Sequence, residues 1–184
     1  MSAISNDKTA NTILITGASQ GIGLATAVQM AELGSHNIVL ACRNKQKAEE
    51  AVDLVQSKNV EVEVSYVLVD FACLDSVREL TEKICSMNLI FQVVVLNAGV
   101  LKPKNRTTND GFEATFQVNY LGQYMLIKAI MEHQLPQSKP VKVITVSSLL
   151  DTRLLWIYAC NSATYGRFFS LPQLCTVSAA LCSL

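Results

Sequence analysis

The chain has 184 residues, carries 15 Lys+Arg against 15 Asp+Glu, and is 50% hydrophobic. This length suits one domain, and the zero net charge excludes a general nucleic-acid binder, which needs a basic surface to displace counterions. The apolar runs are shorter than the roughly 18 residues that a membrane-spanning helix requires. The polar N-terminus resembles neither a secretory signal nor a mitochondrial leader, so we expect a cytoplasmic protein without a transmembrane segment.

The cysteines and histidines lack the spacing of a metal site. The six Cys include no CxxC pair, and the two His, His36 and His133, are far apart in the sequence. Zinc sites bring paired Cys or His together at short spacings. We therefore predict no metal site and expect reduced, mostly buried thiols.

Short apolar runs alternate with helical patterns through the first 146 residues. The first run, TILIT, enters a glycine cluster, and the helix that follows it ends at Gly34. Asp75 is positioned to cap a later helix, with Val77, Leu80 and Ile84 facing the core. This alternation predicts an α/β fold with a doubly wound, parallel, Rossmann-type sheet, incomplete on its C-terminal side. The predicted strands are 12–16, 37–41, 62–69, 91–96 and 141–146, and the other predicted helices are 22–33, 45–57 and 112–133.

Two helical patterns predict which faces make contacts. In the first helix, Ile22, Ala25, Val28 (or Gln29) and Ala31 recur at the spacing of one helix face. In the helix at 112–133, aromatic residues recur every four positions, which predicts a core or interface face rather than a cofactor contact. These aromatic residues are Phe112, Phe116, Tyr120 and Tyr124.

The glycine cluster lies between the first strand and the first helix, in the string TGASQGIG at 16–23. Gly17 permits a tight turn, Gly21 lets the backbone approach a phosphate, and Gly23 allows close packing of helix on strand. The N–H groups and positive dipole end of the helix then suit a pyrophosphate. The alternative is that the glycines serve turn geometry alone. The residues assigned to cofactor binding here are Gly17, Ser19, Gln20, Gly21, Ile22 and Gly23.

The end of the second strand indicates which dinucleotide is bound. NAD sites carry an acidic residue about 20 positions after the glycines, but this segment reads ACRN and has no carboxylate. The planar guanidinium of Arg43 matches a 2′-phosphate, so Arg43 and Asn44 predict NADP rather than NAD. The alternative is that Arg43 lies on a solvated loop. After the third strand, Asp70 and Phe71 are candidates for the adenine, and the alternative role of Asp70 is to cap the following turn.

At this point the sequence resembles the short-chain dehydrogenase/reductase family, over about residues 11–148. TGASQGIG matches its cofactor motif, Asn97-Ala98-Gly99 matches the motif after its fourth strand, and Asn119 matches its active-site asparagine. Ser148, the second of a serine pair after the fifth strand, matches its catalytic serine. The strings ACRN and DGFEATFQVNYLGQY are most similar to the branch that contains retinol dehydrogenases and the WW-domain oxidoreductase. Members of that branch often prefer NADP.

The resemblance also implies a mechanism. In the family, the Tyr of a YxxxK pair protonates the substrate oxygen while hydride moves between nicotinamide and carbonyl carbon; the Lys lowers the Tyr pKa, the Ser orients the substrate, and the Asn anchors a relay water. Ser148 and Asn119 fit these roles. The Tyr and Lys of the YxxxK pair cannot be assigned. Four residues after Tyr158 stands Ser162, four residues after Tyr165 stands Phe169, and no Lys occurs after Lys142. Tyr158 is kept as a candidate catalytic acid.

The composition changes after Ser148. Residues 151–184 hold three charged residues and one Gly, and no strand–helix alternation is visible. We therefore divide the chain into a dinucleotide-binding core at 1–150 and an atypical tail at 151–184, interpreted as a truncated or replaced C-terminus.

Three interpretations follow from these observations. The first is an oxidoreductase that transfers hydride between NADP(H) and an alcohol or carbonyl substrate, a lipophilic one by resemblance. The second is a catalytically inactive isoform that binds cofactor or a partner and acts through a homodimer or a mixed dimer. The third is a product that does not fold stably.

Overall fold

The computed structural model of the chain describes residues 12–34, 37–101, 107–137 and 139–147. The predictions made for Ser148, Tyr158 and the tail at 151–184 lie outside the described residues.

Five parallel strands form one sheet in the order β3-β2-β1-β4-β5. The chain moves outward from β1 to β3 on one side of the sheet and then crosses to β4 on the other side. The position between β1 and β4 is therefore the topological switch point, where ligands bind in sheets of this kind. The predicted doubly wound parallel sheet is confirmed. The strands are β1 (Thr12–Thr16), β2 (Asn37–Cys42), β3 (Val64–Leu68), β4 (Val93–Leu96) and β5 (Lys142–Thr145).

Helices cover both faces of the sheet, so the interior positions of the central strands are apolar. On β1, Leu14 belongs to one buried cluster, whereas Ile13 and Ile15 belong to a second cluster on the opposite face. This alternation follows from the two-residue period of a strand. The helices are α1 (Gly21–Leu33), α2 (Lys45–Gln56), α3 (Leu74–Ser86), α4 (Ala114–Phe116) and α5 (Gly122–Gln134), with a π-helical turn (Gln117–Leu121) joining α4 to α5 and a 3-10 turn (Leu135–Gln137) after α5.

Helix α1 ends as predicted but buries a different face. Gly34 adopts a left-handed conformation with φ of 66° and donates its N–H to the Ala31 carbonyl. The buried positions are Gly23, Ala27 and Ala31, whereas Ile22 is 54% exposed. The predicted apolar face was therefore wrong in part, because α1 lies so close to the sheet that only small residues fit.

The start of α3 differs from the prediction. The helix begins at Leu74, and Asp75 lies in its first turn, where it pairs with Arg78 instead of capping. The Leu74 N–H donates to Asp110 Oδ2 at 2.9 Å, 36 residues away in the chain. A carboxylate from a distant part of the chain thus accepts a free N–H group at the helix N-terminus. Local sequence spacing does not predict this contact.

The aromatic residues at 112, 116, 120 and 124 do not lie in the core. Their exposed fractions run from 40 to 49%. The rings of Phe116 and Tyr120 have centroids 5.5 Å apart, and those of Tyr120 and Tyr124 stack at 6.2 Å. The core alternative for this pattern is therefore wrong, and the four exposed rings form an aromatic stripe, a name we keep for these four residues.

Glu113 caps α4 and so supports the helical segment that carries Asn119. Its carboxylate accepts the N–H groups of Thr115 at 2.9 Å and Phe116 at 2.7 Å. Partial burial acts to raise the pKa of Glu113, but these hydrogen bonds outweigh it and hold the pKa below its usual value of 4.5.

We predict that Glu113→Ala lowers the free energy of unfolding by about 1 kcal/mol at pH 7, the usual effect of losing a cap. Because the folded-state pKa is depressed, this stabilisation is present above pH 4.5 and is lost as the pH falls through the folded value. Urea unfolding at pH 7 and at successively lower pH measures it. A difference between native chain and variant that stays constant down to acid pH would contradict the charged-cap explanation.

Candidate functional site

The glycine-rich turn lies at the carboxyl end of β1 and opens α1. Gly17 and Gly21 both have positive φ, at 66° and 59°. A Cβ at Gly21 would meet no atom within 4 Å, so this part of the backbone faces open space. Gln20 precedes the helix in an extended conformation, and no side chain caps α1. The first N–H groups of α1 are therefore oriented to meet an anion.

The loop after β4 packs directly on this turn. A Cβ at Gly17 would lie 2.8 Å from Ala98 Cα, and one at Gly23 would lie 2.6 Å from Asn97 Nδ2. Asn97 Nδ2 donates to the carbonyls of Thr16 at 2.9 Å and Gly17 at 3.4 Å. The Asn97 side chain thus binds the two loops together, so its contribution to a ligand site is to position them.

Asn119 lies in the π-helical turn, next to the loop after β4. Its Oδ1 accepts the Val100 N–H at 2.7 Å, and its Nδ2 donates to the Val100 carbonyl at 2.9 Å. A Cβ at Gly99 would lie 3.6 Å from Asn119 Oδ1. The side-chain amide is therefore engaged with backbone, and it holds residues 99 and 100 against the helix.

The end of β2 lies beside the glycine-rich turn. Arg43 is exposed, and Asn44 Oδ1 caps α2 by accepting the Lys47 N–H at 3.0 Å. Lys47, which the sequence interpretation did not single out, reaches back so that its Nζ lies 3.4 Å from Gln20 Oε1. Two cationic side chains, those of Arg43 and Lys47, are thus available at this end of the sheet.

A buried thiol joins β2 to the glycine-rich turn. Burial raises the pKa of Cys42 to about 11, and hydrogen bonds with the Ala18 backbone and the Ser19 side chain oppose part of that rise. The thiol is therefore protonated at neutral pH. The Ser19 side chain therefore contacts the thiol at the end of β2.

The candidates after β3 are engaged in structural contacts. Asp70 Oδ1 accepts the Ala72 N–H at 2.9 Å, and the Asp70 N–H donates to Ser76 Oγ at 3.0 Å. This is the turn-capping role that the sequence left as the alternative. Phe71 is buried, and its ring lies against Gly122, where a Cβ would come within 3.0 Å of it. Any cofactor contact of Phe71 would therefore use its backbone.

The structure thus brings three segments together at the switch point between β1 and β4: the glycine-rich turn at 16–23, the loop at 97–100, and the helix around Asn119. Arg43 and Asn44 lie at β2, and Asp70 lies at β3. Sequence analysis missed Thr16 and Gln123, which bind these segments to one another. One signal was present, because Gln123 follows Asn119 by four residues and so shares its helix face.

The described part of the chain contains neither a candidate membrane span nor a candidate metal cluster. Within it, no helix has the length and apolar character needed to cross a membrane. Nor do three His, Cys, Asp or Glu side chains of these residues come close enough together to hold a metal ion.

A parallel sheet in this order, with a glycine-rich first turn at its switch point, defines a Rossmann-type fold. The family model described as short chain dehydrogenase matches residues 11–163, so the chain belongs to the short-chain dehydrogenase family. The match extends 13 residues past the boundary at 150 that composition suggested, and the division at that point stays a prediction.

Curated relatives place the chain beside the retinol dehydrogenases and the WW-domain oxidoreductase. It is 38% identical over 138 residues to human retinol dehydrogenase 13, and the matched region covers 75% of this chain and 41% of the relative. It is 39% identical over 136 residues to the WW domain-containing oxidoreductase of Danio rerio, covering 74% of this chain and 32% of the relative. The chain therefore spans about two fifths or less of the length of these relatives.

Solved structures share the fold. A short-chain dehydrogenase from Sphingobium yanoikuyae in complex with NADPH superposes with a TM-score of 0.67 at 22% identity, covering 79% of this chain and 56% of the other. An alcohol dehydrogenase from Thermococcus sibiricus complexed with 5-hydroxy-NADP gives a TM-score of 0.61 at 28% identity, covering 75% and 58%.

We predict that Gly17→Ala destabilises the chain more than Gly21→Ala. Both substitutions force a side chain into the left-handed region, at about 1–2 kcal/mol each, but only the Cβ at Gly17 collides with backbone. That collision adds about 1–3 kcal/mol. Urea unfolding of the two variants measures the difference, and equal losses would contradict the close packing of the two loops.

Proposed function

We propose that the chain binds NADP(H) at the switch point and takes part in hydride transfer to or from an alcohol or carbonyl substrate. One observation carries this proposal: the α1 N-terminus has no side-chain cap, and Gly21 leaves open space in front of it. A Cβ would intrude into that space, so the cradle fits a pyrophosphate. The bound nicotinamide would give or accept the hydride, and the protein holds and orients it.

In the proposed site, the residues that follow each strand bind a different part of the cofactor. The turn from Gly17 to Gly23, with Ser19, Gln20 and Ile22, meets the pyrophosphate. Arg43 and Asn44 meet the ribose 2′-phosphate, and Asp70 and Phe71 flank the adenine. Asn97, Ala98 and Gly99 lie at the nicotinamide side. The 5-hydroxy-NADP named for the Thermococcus structure, which is 28% identical, supports NADP over NAD.

The substrate side of the proposal rests on the relatives. A retinol dehydrogenase among them supports a lipophilic alcohol or aldehyde. We propose Ser148 and Asn119 as catalytic residues and Tyr158 as the candidate acid, although no Lys stands four residues after it. A cytoplasmic location belongs to the same proposal.

The second candidate is a catalytically inactive form that binds cofactor or a partner, with 1–150 as its core and 151–184 as an altered tail. The absence of a YxxxK pair after Ser148 favours it. A Tyr without a neighbouring cation keeps a pKa near 10, where proton transfer at neutral pH is slow. An assay of NADPH oxidation with a panel of lipophilic aldehydes distinguishes the active oxidoreductase from the inactive form. A chain that binds NADPH but does not oxidise it with any of these aldehydes is the inactive form.

We predict that Arg43→Gln weakens NADPH binding by about 10- to 100-fold, because a charged hydrogen bond to the 2′-phosphate is lost, and leaves NADH binding nearly unchanged. Titration of the nucleotide's own fluorescence measures both affinities. Lys45→Gln is the matched control, since Lys45 lies two residues away and faces Glu49 at 3.8 Å. Equal losses for the two nucleotides, or equal losses in the two variants, would defeat the assignment of Arg43.

We also propose that the aromatic stripe is the contact face of a homodimer or a mixed dimer. The four rings are 40–49% exposed, and three of them are in ring contact along the helix, so they form an apolar surface that water does not solvate well. Tyr120→Glu should therefore shift the sedimentation coefficient of the purified chain from dimer to monomer. Glu132→Gln on the same helix is the control, and a native chain that sediments as a monomer would contradict the proposal.

A further inference from the structure

Gln123 is the first buried polar residue of α5, and its side chain contacts three separate segments. It is 5% exposed. Its Nε2 donates to the Ala98 carbonyl at 2.6 Å and to the Asn119 carbonyl at 3.2 Å. Its Oε1 accepts the Thr16 hydroxyl at 3.0 Å. One amide thus joins the end of β1, the loop after β4 and the π-helical turn.

The partners of Gln123 require both a donor and an acceptor. The Thr16 hydroxyl accepts the N–H groups of Asn97 at 2.8 Å and Ala98 at 2.9 Å, so its own hydrogen is left to donate. It has two acceptors in reach, Gln123 Oε1 and the Val95 carbonyl at 3.3 Å. The carbonyls of Ala98 and Asn119 need donors. A side-chain amide supplies two N–H groups and one acceptor oxygen, whereas a carboxylate only accepts.

We propose that Gln123 is a positioning residue, which sets Asn119 and the loop at 97–100 against the carboxyl end of β1. This inference rests on the proposed function, because it assigns those two segments to the nicotinamide side of an NADP site. Asn119 in turn clamps Val100 through two hydrogen bonds. The cofactor loop and the catalytic asparagine therefore depend on the same amide, and they move together when it is lost.

The same helix provides a matched control in Gln134. It is 1% exposed, its Oε1 accepts the Phe91 N–H at 2.9 Å, and its Nε2 donates to the carbonyls of Phe91 at 2.9 Å and Lys139 at 3.2 Å. Like Gln123, Gln134 donates two hydrogen bonds and accepts one. Its partners precede β4 and β5, so they lie at the amino ends of these strands, whereas the site lies at the carboxyl ends.

The test compares Gln123→Glu with Gln134→Glu in the full chain. Both variants lose two donors in a buried position, so both should unfold at lower urea concentration. Only Gln123→Glu should weaken NADPH binding, by about 10-fold per folded molecule. It should also accelerate amide hydrogen exchange at residues 97–100 in the chain without nucleotide. Because a protonated carboxyl group regains one donor, lower pH should narrow the affinity gap between Gln123→Glu and the native chain.

The outcomes are distinct. If Gln123→Glu binds NADPH like the native chain and exchanges at 97–100 like Gln134→Glu, Gln123 is a structural residue only and the inference is overturned. If the native chain binds no NADPH, the proposed function fails, and the exchange comparison still decides the positioning role. Should the buried charge prevent folding, Gln123→Met removes the same hydrogen bonds without a charge, and both readouts apply to it unchanged.

Discussion

The site depends on one buried hydroxyl, that of Thr16 at the end of β1. It accepts the N–H groups of Asn97 and Ala98 and donates its hydrogen towards Gln123, so every hydrogen-bonding position of the group is used. A buried hydroxyl in that state holds two adjacent strand ends at a defined separation, because leaving any of these partners unpaired is costly. The switch point of the sheet is therefore rigid where a cofactor would lie.

Close approach is the second constraint on the same region. Gly17 and Gly23 leave no room for a Cβ against the loop after β4, whereas Gly21 faces open space. The glycine-rich turn thus packs tightly against the loop after β4 on one side and leaves free space on its other side. An uncapped α1 N-terminus beside an open backbone can accept an anion, and two cations lie nearby, Arg43 after β2 and Lys47 in the first turn of α2. The geometry favours a long, anionic ligand that extends along the strand ends.

Sequence patterns predicted what depends on neighbours in the chain. The bounds of β1 and the end of α1 at Gly34 were correct, because strand alternation and a left-handed glycine are local signals. The contact of Asp110 with the N-terminus of α3 and the bonds of Gln123 were not predicted. Asp110 lies 36 residues from Leu74 and Gln123 lies 107 residues from Thr16, and no local period records either contact. Asn119 was identified by resemblance, but its hydrogen bond with Val100, 19 residues away, arises only in the folded chain.

The central claim is that the switch point binds NADP(H), and thermal unfolding with and without nucleotide tests it most directly. A ligand that binds only the folded state stabilises it by about 2.7 kcal/mol at a hundredfold excess over the dissociation constant. We predict a cooperative transition that saturating NADPH moves to higher temperature and that NADH moves less. A cooperative transition whose midpoint temperature NADPH does not change would contradict this claim, since the chain would then be folded but would not bind the nucleotide.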